Sequence, residues 1–375
     1  MSPVCQISNV VCSSGCRACM VVVEVVTMTE RLRDGYGRDG YGRDGHGRDG
    51  YRRDSYDVVV VGGGAAGLSG ALMLARARRS VVVIDAGAPR NAPAAGVHGL
   101  LARDGMRPTD LLERGRAEVR GYGGRIVPGE VGAVARDDDR FAVTLVDGRT
   151  VRARRLLVAT GLVDELPDVP GLRDRWGRDV VHCPYCHGWE VRDRAIGVLA
   201  SGPLAVHQAL LFRQWSADVT FFSHTAPPPT DEEAEQLAAR GISVVDGEVA
   251  SLEIVEDRLT GVRLSDGTVV GCEVLAVSSR MAARADFLSA LGLRPAEHPA
   301  GVGEHIPADP TGRTDVPGVW VAGNVTDLAA QVGTAAAAGA TAAAAINADL
   351  VAEETRQAVA AYRDPISAAP GAHPA

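Results

Sequence analysis

The chain has 375 residues and a net charge of −8, and it contains no lysine, so that all 39 strongly basic residues are arginine. A hydrophobic share of 46% is enough for sizeable cores, and the length predicts two or three domains. The negative charge and an aromatic share of only 4% argue against a nucleic-acid partner. The longest apolar run near the start, residues 20–26, is too short to cross a bilayer and lacks the features of a secretory signal. We therefore expect a cytoplasmic protein with no membrane partner.

Residues 1–55 are predicted to be a disordered, low-complexity extension. The unit Arg-Asp-Gly-Tyr-Gly repeats with a period of five over residues 33–56, and such a sequence can bury almost no apolar surface. Four cysteines precede this repeat, with a spacing that could bind a metal or a cluster. We favour the alternative that this stretch is an untranslated leader, because Met28 offers a second start, and we predict no metal site. The cysteines are Cys5, Cys12, Cys16 and Cys19.

A dinucleotide-binding pattern begins at residue 56. An apolar strand over residues 56–61 runs into Gly-Gly-Gly-Ala-Ala-Gly and then into a predicted helix over 68–78. A second apolar strand over 81–84 ends at Asp85. In this fingerprint the phosphates bind at the helix N-terminus, and the acid accepts a hydrogen bond from a ribose hydroxyl. The acid favours an unphosphorylated ribose, hence FAD or NAD.

Each glycine of the fingerprint has its own predicted task. Gly62 allows the tight turn, Gly64 lets the backbone approach the pyrophosphate, and Gly67 permits close packing of helix against strand. Further on, short strands are predicted over residues 125–160, and the last of them ends in Ala-Thr-Gly. Prolines and a glycine then break the pattern, so we place a domain boundary near residue 165.

The next stretch, residues 182–190, carries the sequence His-Cys-Pro-Tyr-Cys-His-Gly-Trp-Glu. The spacing of Cys183 and Cys186 fits three chemistries: a thiol–disulfide redox pair, half of a zinc site, or a haem attachment sequence, because His187 follows directly. Haem attachment requires export, and zinc requires two more ligands at a compatible spacing. A redox pair is the interpretation that the rest of the chain favours.

A second strand–turn–helix pattern over residues 195–222 indicates another nucleotide-type fold with a degraded fingerprint. Ala200 stands in place of the first glycine, and Pro203 offers no N–H to a phosphate. No arginine follows the second strand to hold a 2′-phosphate. Whether this fold binds NADPH or NADH is therefore left open. Cys272, alone among apolar residues, is predicted to be an inert buried thiol.

Small residues are frequent towards the end of the chain. The stretch 316–324 reads Val-Pro-Gly-Val-Trp-Val-Ala-Gly-Asn, and an alanine-rich helix is predicted over 331–350. Such small side chains suggest very close approach to a sheet or a cofactor. Residues 353–375 are predicted to be a C-terminal tail.

Taken together, these motifs resemble the low-molecular-weight thioredoxin reductase class of FAD-dependent pyridine nucleotide–disulfide oxidoreductases. The resemblance implies an α/β protein with two Rossmann-like domains in three-layer packing and a homodimeric assembly. It implies an FAD domain formed by residues 56–165 and 290–352, with an NAD(P)H-type domain over 166–289 inserted between them. The cofactor-binding residues are then Gly62, Gly64, Ala65, Ala66, Gly67, Asp85, Arg90, Asn91, Thr160, Gly161, Gly323, Asn324, Gln331 and Val332.

Three departures from the thioredoxin reductases bear on function. Asn324 stands where the family usually has an aspartate, His187 stands where it has an acid, and the arginine-rich stretch that reads NADPH is missing. The combination of Cys-x-x-Cys-His-Gly with Gly-Asn is most similar to the gliotoxin- and holomycin-type dithiol oxidases. That resemblance implies oxidation of small dithiols with transfer of electrons to oxygen.

By the same resemblance, Cys186 is the thiol next to the flavin and Cys183 is the thiol that exchanges with substrate. Exchange requires a thiolate, so a neighbouring group must take up and return a proton near neutral pH. We assign this task to His187, with His182 as the lesser candidate. The hypothesis is an FAD-dependent dithiol–disulfide oxidoreductase acting on a small-molecule dithiol or disulfide or on a thioredoxin-like protein, in a direction that stays open. The alternative is a flavin-bound redox sensor or binding module that does not turn over.

Overall fold

The computed structural model describes residues 55–363, which form two parallel sheets with helices and antiparallel ribbons packed on them. The predictions of a disordered extension, of an N-terminal cysteine cluster and of the last twelve residues of the tail lie outside the described residues.

The first sheet has seven strands, of which five are parallel. Their order is β3, β2, β1, β6, β19, with β1 pairing in parallel with both β2 and β6. The last strand comes from the far end of the sequence, so this domain is built from two separate segments. The strands are β1 Ser55–Val61, β2 Val81–Asp85, β3 Arg125–Pro128, β6 Thr150–Val158 and β19 Val319–Val321.

Different layers cover the two faces of this sheet. The N-terminal half of β6 continues into an antiparallel meander with β5 (Arg140–Leu145) and β4 (Val131–Asp137), which closes one apolar core. Helices α1 (Ala65–Arg76), α2 (Pro108–Gly121) and α7 (Val332–Arg363) close the core on the other face. The near-continuous burial of β1 and β2 follows from this double cover.

The second sheet repeats the same plan within the sequence between β6 and β19. Five parallel strands follow the order β11, β10, β9, β15, β8. They are β8 Val180–Val181, β9 Ile196–Leu199, β10 Val219–Phe222, β11 Ser243–Val245 and β15 Val274–Val277.

One face of the second sheet carries helices and the other a meander. Helices α5 (Ala205–Phe212) and α6 (Asp231–Ala239) enclose one core, and β12 (Val249–Val255), β13 (Arg258–Leu264) and β14 (Val269–Gly271) enclose the other. The short helices α3 (Leu172–Arg175) and α4 (Pro184–His187) flank β8. The predicted α/β class with two Rossmann-like folds is confirmed.

The chain passes between the sheets through a two-stranded ribbon. Strand β7 (Leu162–Glu165) leaves the first sheet, and β16 (Arg280–Ala283) pairs with it in antiparallel register on the way back. The predicted domain limits near residues 165 and 289 fall at or just beyond this ribbon. A short hairpin of β17 (Ala296–Glu297) and β18 (Glu304–His305) follows it.

Helix α7 is longer than the sequence pattern predicted. It does not end near Leu350 but continues to Arg363, so the placement of residues 353–363 in a tail is wrong. The physical reason is a set of ion pairs: Glu353 and Glu354 of the helix meet Arg154 and Arg155 of strand β6, whose side chains are only 16% and 13% exposed.

Length and apolar composition alone would allow α7 to cross a membrane, and it is the one helix among the described residues for which this holds. Its inner face instead packs on α1 and the first sheet, as expected for a core helix. The buried residues are Ala335, Gly339, Ala342, Ala343, Ile346 and Leu350.

Replacing Glu353 by Gln tests the ion pairs that extend α7. We expect a loss of about 1–2 kcal/mol of unfolding free energy at pH 7, because two arginines lose a charged acceptor. Burial alone would raise the pKa of Glu353, but Arg155 and Arg154 outweigh it and lower that pKa below its ordinary 4.5. The stabilisation is therefore present above pH 4.5 and is lost as the pH falls through the lower folded-state value. Thermal melts across this pH range measure it.

The exposed Glu235 on α6 provides the matched control, since Glu235→Gln removes a carboxylate without an ion pair of this kind. An equal loss of stability in both variants at pH 7 would contradict the role given to Glu353.

Candidate active site

One cavity of about 400 Å³ brings the separate motifs together. It is lined by the loop after β1, the end of β2, the loop after β6, the start of α4 and the start of α7. Every residue that the sequence predicted for the site lines it except Gly67. These are Gly62, Gly64, Ala65, Ala66, Asp85, Arg90, Asn91, Thr160, Gly161, His182, Cys183, Cys186, His187, Gly323, Asn324, Gln331 and Val332.

The glycines of the first fingerprint have the geometry that a phosphate loop needs. Gly62 has a φ of +100°, and a Cβ there would lie 2.4 Å from the carbonyl oxygen of Ala159. Gly67 lies outside the cavity because it packs α1 onto β1, where a Cβ would lie 1.9 Å from the carbonyl oxygen of Gly62. At Gly64, which caps α1, a Cβ would meet no atom within 4 Å. The start of α1 therefore faces open space, as an anion-binding helix end requires.

Asp85 is held in place from two sides. Its Oδ1 accepts from the N–H of Gly63 at 3.1 Å, and its Oδ2 accepts from Arg116 of α2 at 3.0 Å. The carboxylate is therefore fixed at the edge of the cavity, where a ribose would lie by the fingerprint. Arg116 was not predicted from the sequence, but its hydrogen bond places it next to Asp85.

Arg90 lines the cavity, but its guanidinium is engaged by Asp164 of β7. Nε and Nη2 of Arg90 donate to the two carboxylate oxygens at 2.6 and 2.7 Å, and the hydroxyl of Ser279 donates to the same carboxylate at 2.6 Å. Burial of Asp164 would raise its pKa, but Arg90 outweighs this and lowers it. The predicted contact of Arg90 with a cofactor stays a prediction, as does that of Asn91.

The hydrogen bonds of the Asn324 side chain explain why this position holds an amide where the family usually has a carboxylic acid. Its Nδ2 donates to the carbonyl oxygens of Asp327 and Ala330 at 3.0 and 2.9 Å, and also lies 3.3 Å from that of Leu328. A carboxylate could not donate to any of them, so the residue is committed to holding this loop. Its remaining oxygen is still able to accept a hydrogen bond from a ligand. The hydroxyl of Thr160 donates to the carbonyl of Arg284 at 2.6 Å.

The cysteine pair begins helix α4, directly after β8. The two sulfur atoms lie 2.6 Å apart, with the Cys186 thiol donating to Cys183. Cys183 is the N-cap of α4, and both cysteines are half-buried in the wall of the cavity. This separation is close to the roughly 2.05 Å of a disulfide bond, so the two cysteines are placed to form one.

The two thiols differ in acidity. The hydrogen bond from Cys186, together with backbone N–H groups of Cys186 and Tyr185, lowers the pKa of Cys183 to about 7 despite its burial. The same interaction and burial raise the pKa of Cys186. Cys183 therefore ionises first, which suits the thiol that exchanges with substrate.

The two histidines are held differently. Nδ1 of His182 donates to the carbonyl of Val277 at 3.1 Å, which fixes the tautomer with the other nitrogen free to accept. Burial lowers the pKa of both His182 and His187, so both rings are poised to be neutral near pH 7. Nδ1 of His187 is buried without a hydrogen-bond partner among the described residues.

These features fit a bound FAD. The cradle at the start of α1 is open, the cavity continues from it to the cysteines, and the orphaned Nδ1 of His187 lacks the partner that a buried polar atom normally has. When bound, FAD would supply a two-electron acceptor to the cysteine pair. Within residues 55–363, no three His, Cys, Asp or Glu side chains are grouped as metal ligands would be.

Two polar residues that the sequence left without a role belong to the same site. His98 lines the cavity, and its Nε2 lies 3.4 Å from a carboxylate oxygen of Glu190. Glu190 follows His187 by three residues, and its N–H donates to the carbonyl of His187 at 3.1 Å. The sequence feature that could have pointed to Glu190 as part of the site is its position at the end of the cysteine motif.

Alkylation of the reduced protein tests the acidity of the cysteines. Iodoacetamide is expected to modify Cys183 before Cys186, with a rate that rises through a midpoint near pH 7, because only the thiolate reacts. In the Cys186→Ala variant the thiol donor is gone, so the midpoint for Cys183 is expected to move to higher pH. Peptide mass spectrometry over a pH series measures both. Faster modification of Cys186, or an unchanged midpoint in the variant, would contradict this assignment.

The chain is similar to proteins of known class. Residues 56–344 match the family model described as pyridine nucleotide-disulphide oxidoreductase. Thioredoxin reductase tcpT of Claviceps purpurea is 32% identical over 72% of this chain and 86% of its own length. Thioredoxin reductase sirT of Leptosphaeria maculans is 31% identical over 78% of this chain and 93% of its own length.

Solved structures agree with these relatives. The crystal structure of HlmI is 48% identical, has a TM-score of 0.79 and covers 85% of this chain and 100% of its own. The oxidoreductase from Agrobacterium tumefaciens is 35% identical, with a TM-score of 0.74 and coverage of 79% and 99%. These similarities confirm the resemblance drawn from the motifs. The chain therefore belongs to the pyridine nucleotide–disulphide oxidoreductase family, as a thioredoxin-reductase-like flavoprotein.

Proposed function

We propose that the protein oxidises small-molecule dithiols to disulfides, with FAD as its cofactor and dioxygen as the final electron acceptor. The balance is one dithiol and one O₂ converted to one disulfide and one H₂O₂. The observation that carries the proposal is that the cysteine pair lines the same cavity as the intact dinucleotide fingerprint, whereas the second fingerprint carries Ala200 and Pro203 at its loop.

The loop after β9 offers poor support for NAD(P)H. Ala200 stands where the first fingerprint has Gly62, and Pro203 has no N–H to give. After β10, the hydroxyl of Ser223 donates to Asp246 at 2.8 Å, and Nδ1 of His224 accepts from the N–H of Val249 at 3.1 Å. Both side chains that follow β10 are thus committed to the protein itself. This favours a source of electrons other than NADPH or NADH.

The chemistry at the pair follows from the acidity of its thiols. A substrate thiolate attacks the sulfur of Cys183 in the disulfide, and the bond to Cys186 breaks. The second thiol of the substrate then attacks the substrate sulfur that is bonded to Cys183. The disulfide of the product forms, and Cys183 leaves as a thiolate. Its low pKa makes it a good leaving group. His187, adjacent to Cys186 in the chain, is the acid–base that takes up and returns the protons.

The surroundings of the pair favour a small substrate over a protein. The cysteines are half-buried in the cavity wall, which a small dithiol reaches more readily than a folded thioredoxin-like protein does. On either side of Cys186 and His187, the aromatic side chains of Tyr185 and Trp189 are 63% and 65% exposed. We propose that they form the rim against which an apolar part of the dithiol packs.

Assembly and location complete the proposal. We propose a homodimer that works in the cytoplasm. The family resemblance supports the dimer, and the use of a reversible Cys-x-x-Cys pair supports a reducing compartment. Sedimentation of the FAD-loaded protein checks the first of these statements.

Anaerobic mixing of the FAD-loaded protein with dithiothreitol, NADPH or NADH tests the function. We expect the flavin absorbance to bleach rapidly with the dithiol and slowly, at well under a tenth of that rate, with either nucleotide. Admission of air should restore the flavin and yield about one peroxide per dithiol over many cycles. The Cys183→Ser/Cys186→Ser variant should not bleach, whereas Cys272→Ala, which alters a buried thiol outside the cavity, should behave as the wild type.

Rapid bleaching by NADPH followed by reduction of a disulfide would instead establish a reductase. A single reduction without further cycles in air would favour the redox sensor.

A further inference from the structure

Residues 89–98 of the first domain form a loop after β2, which we call the clamp. A turn at its start is closed by the N–H of Ala92, which donates to the carbonyl of Pro89 at 3.0 Å. At its end Val97 pairs with Met106 of the same domain, with the N–H of Val97 donating to the carbonyl of Met106 at 2.8 Å. The clamp is therefore held firmly to the domain that carries the intact fingerprint.

The clamp contacts the second domain at two places. At the first, Pro93 lies against Gly177, where a Cβ would stand 2.8 Å from the Cβ of Pro93, closer than real Cβ atoms come to their neighbours. At the second, Nε2 of His98 lies 3.4 Å from Oε1 of Glu190. The other ring nitrogen of His98 lies 3.6 Å from the carboxylate of Asp104 in its own domain, which orients the ring toward Glu190.

These two contacts lie on either side of the cysteine motif. Gly177 precedes β8 and Glu190 follows α4, so that Cys183 and Cys186 stand between them in the chain. The N–H of Glu190 also donates to the carbonyl of His187 at 3.1 Å, which ties Glu190 to the end of α4. One loop of the first domain thus holds the cysteine-bearing segment of the second domain at both of its ends.

The connection between the domains gives this loop something to restrain. The chain crosses from one domain to the other through the ribbon of β7 and β16, which is only four residue pairs long. Domains joined by short connections are expected to move relative to each other unless further contacts prevent it. Arg90 of the clamp also binds Asp164 of β7, so the same loop holds the ribbon itself.

The proposed reaction needs the cysteine pair and the flavin in contact in every cycle. The dithiol becomes a disulfide as it reduces the pair. The pair then returns to its disulfide as two electrons and two protons pass to the flavin, and dioxygen takes both up as H₂O₂. A misplacement of about 1 Å can slow such a step roughly a hundredfold. Movement of the cysteine segment away from the cavity would therefore slow the second step and leave the first one unchanged.

We propose that the clamp keeps the cysteine pair at the flavin cavity throughout the cycle, with Pro93 and His98 as positioning residues. This inference rests on the proposed dithiol oxidation and adds that both of its steps take place in one arrangement of the two domains. Pro93 and His98 act through Gly177 and Glu190 and do not touch the reacting sulfurs, so they are not catalytic residues.

The variant Gly177→Ala tests the clamp in the FAD-loaded protein, because its new Cβ forces Pro93 away. Anaerobic mixing with dithiothreitol follows two quantities: reduction of the cysteine pair, by acid quenching, alkylation and mass spectrometry, and bleaching of the flavin. We expect the pair to be reduced at the wild-type rate and the flavin to bleach about tenfold more slowly. Backbone hydrogen exchange in β7 and β16 should become faster, which is a measurement independent of activity.

The chain offers matched controls. Gly241 also has a positive φ, +66° against +81° at Gly177, but a Cβ there would meet no atom of the described residues within 4 Å. Gly241→Ala should therefore behave as the wild type in all three measurements. Adding Pro93→Gly to Gly177→Ala removes the atom that the new Cβ meets and should restore most of the bleaching rate. His98→Ala loosens the other end and should show the same split between the two rates, with a smaller effect.

Each outcome decides the proposal. A Gly177→Ala protein that matches Gly241→Ala would overturn it. Slow bleaching that Pro93→Gly does not relieve would also overturn it, because backbone strain at residue 177 would then be the cause. If Gly177→Ala does not fold, the double variant Pro93→Gly/His98→Ala removes both contacts without that strain, and a wild-type bleaching rate in it would contradict the clamp. Failure of the proposed function shows itself separately, since dithiols would then not bleach the wild-type flavin, while hydrogen exchange would still report on the clamp.

Discussion

The ion pair between Arg90 and Asp164 is the contact on which the rest of the site depends. Asp164 lies on strand β7 of the ribbon that joins the two domains, and its side chain is only 7% exposed. It holds Arg90 from the loop after β2 and Ser279 from the start of the returning strand. An unpaired carboxylate at this depth would be strongly unfavourable, so the pairing specifies how the ribbon and this loop meet.

That arrangement places the end of β8 opposite the ends of β1 and β2. The cysteines follow β8 directly, and the fingerprint follows β1, so a single cavity receives both. The Arg90 charge also lies near enough to favour the thiolate form of both cysteines. One partly buried ion pair therefore connects the geometry of the two domains with the reactivity of the thiols between them.

Local patterns in the sequence were sufficient to predict the two folds and to select residues that line a single cavity. The first fingerprint is contiguous, and its glycines are dictated by the close approach of Gly67 to Gly62. The cysteine motif is contiguous as well. The length of α7 was not predictable in this way, because Glu353 and Glu354 resemble a polar tail until their partners Arg154 and Arg155, about two hundred residues earlier, are known.

The same reason explains why the pairs that complete the site were missed. Arg90 and Asp164 are separated by 74 residues, and His98 and Glu190 come from different domains. Nothing in either local sequence indicates its partner. Asn324 could be recognised as a departure from the family, but only the three carbonyl oxygens around its amide give the physical reason for it.

If the cysteine pair and a bound flavin form one redox unit, the two store electrons together. The most direct measurement is the number of electrons that the FAD-loaded protein takes up in an anaerobic titration with dithionite. We expect about four electrons per chain, two for the flavin and two for the disulfide, and about two in the Cys183→Ser/Cys186→Ser variant. An uptake of two electrons by both proteins would contradict it.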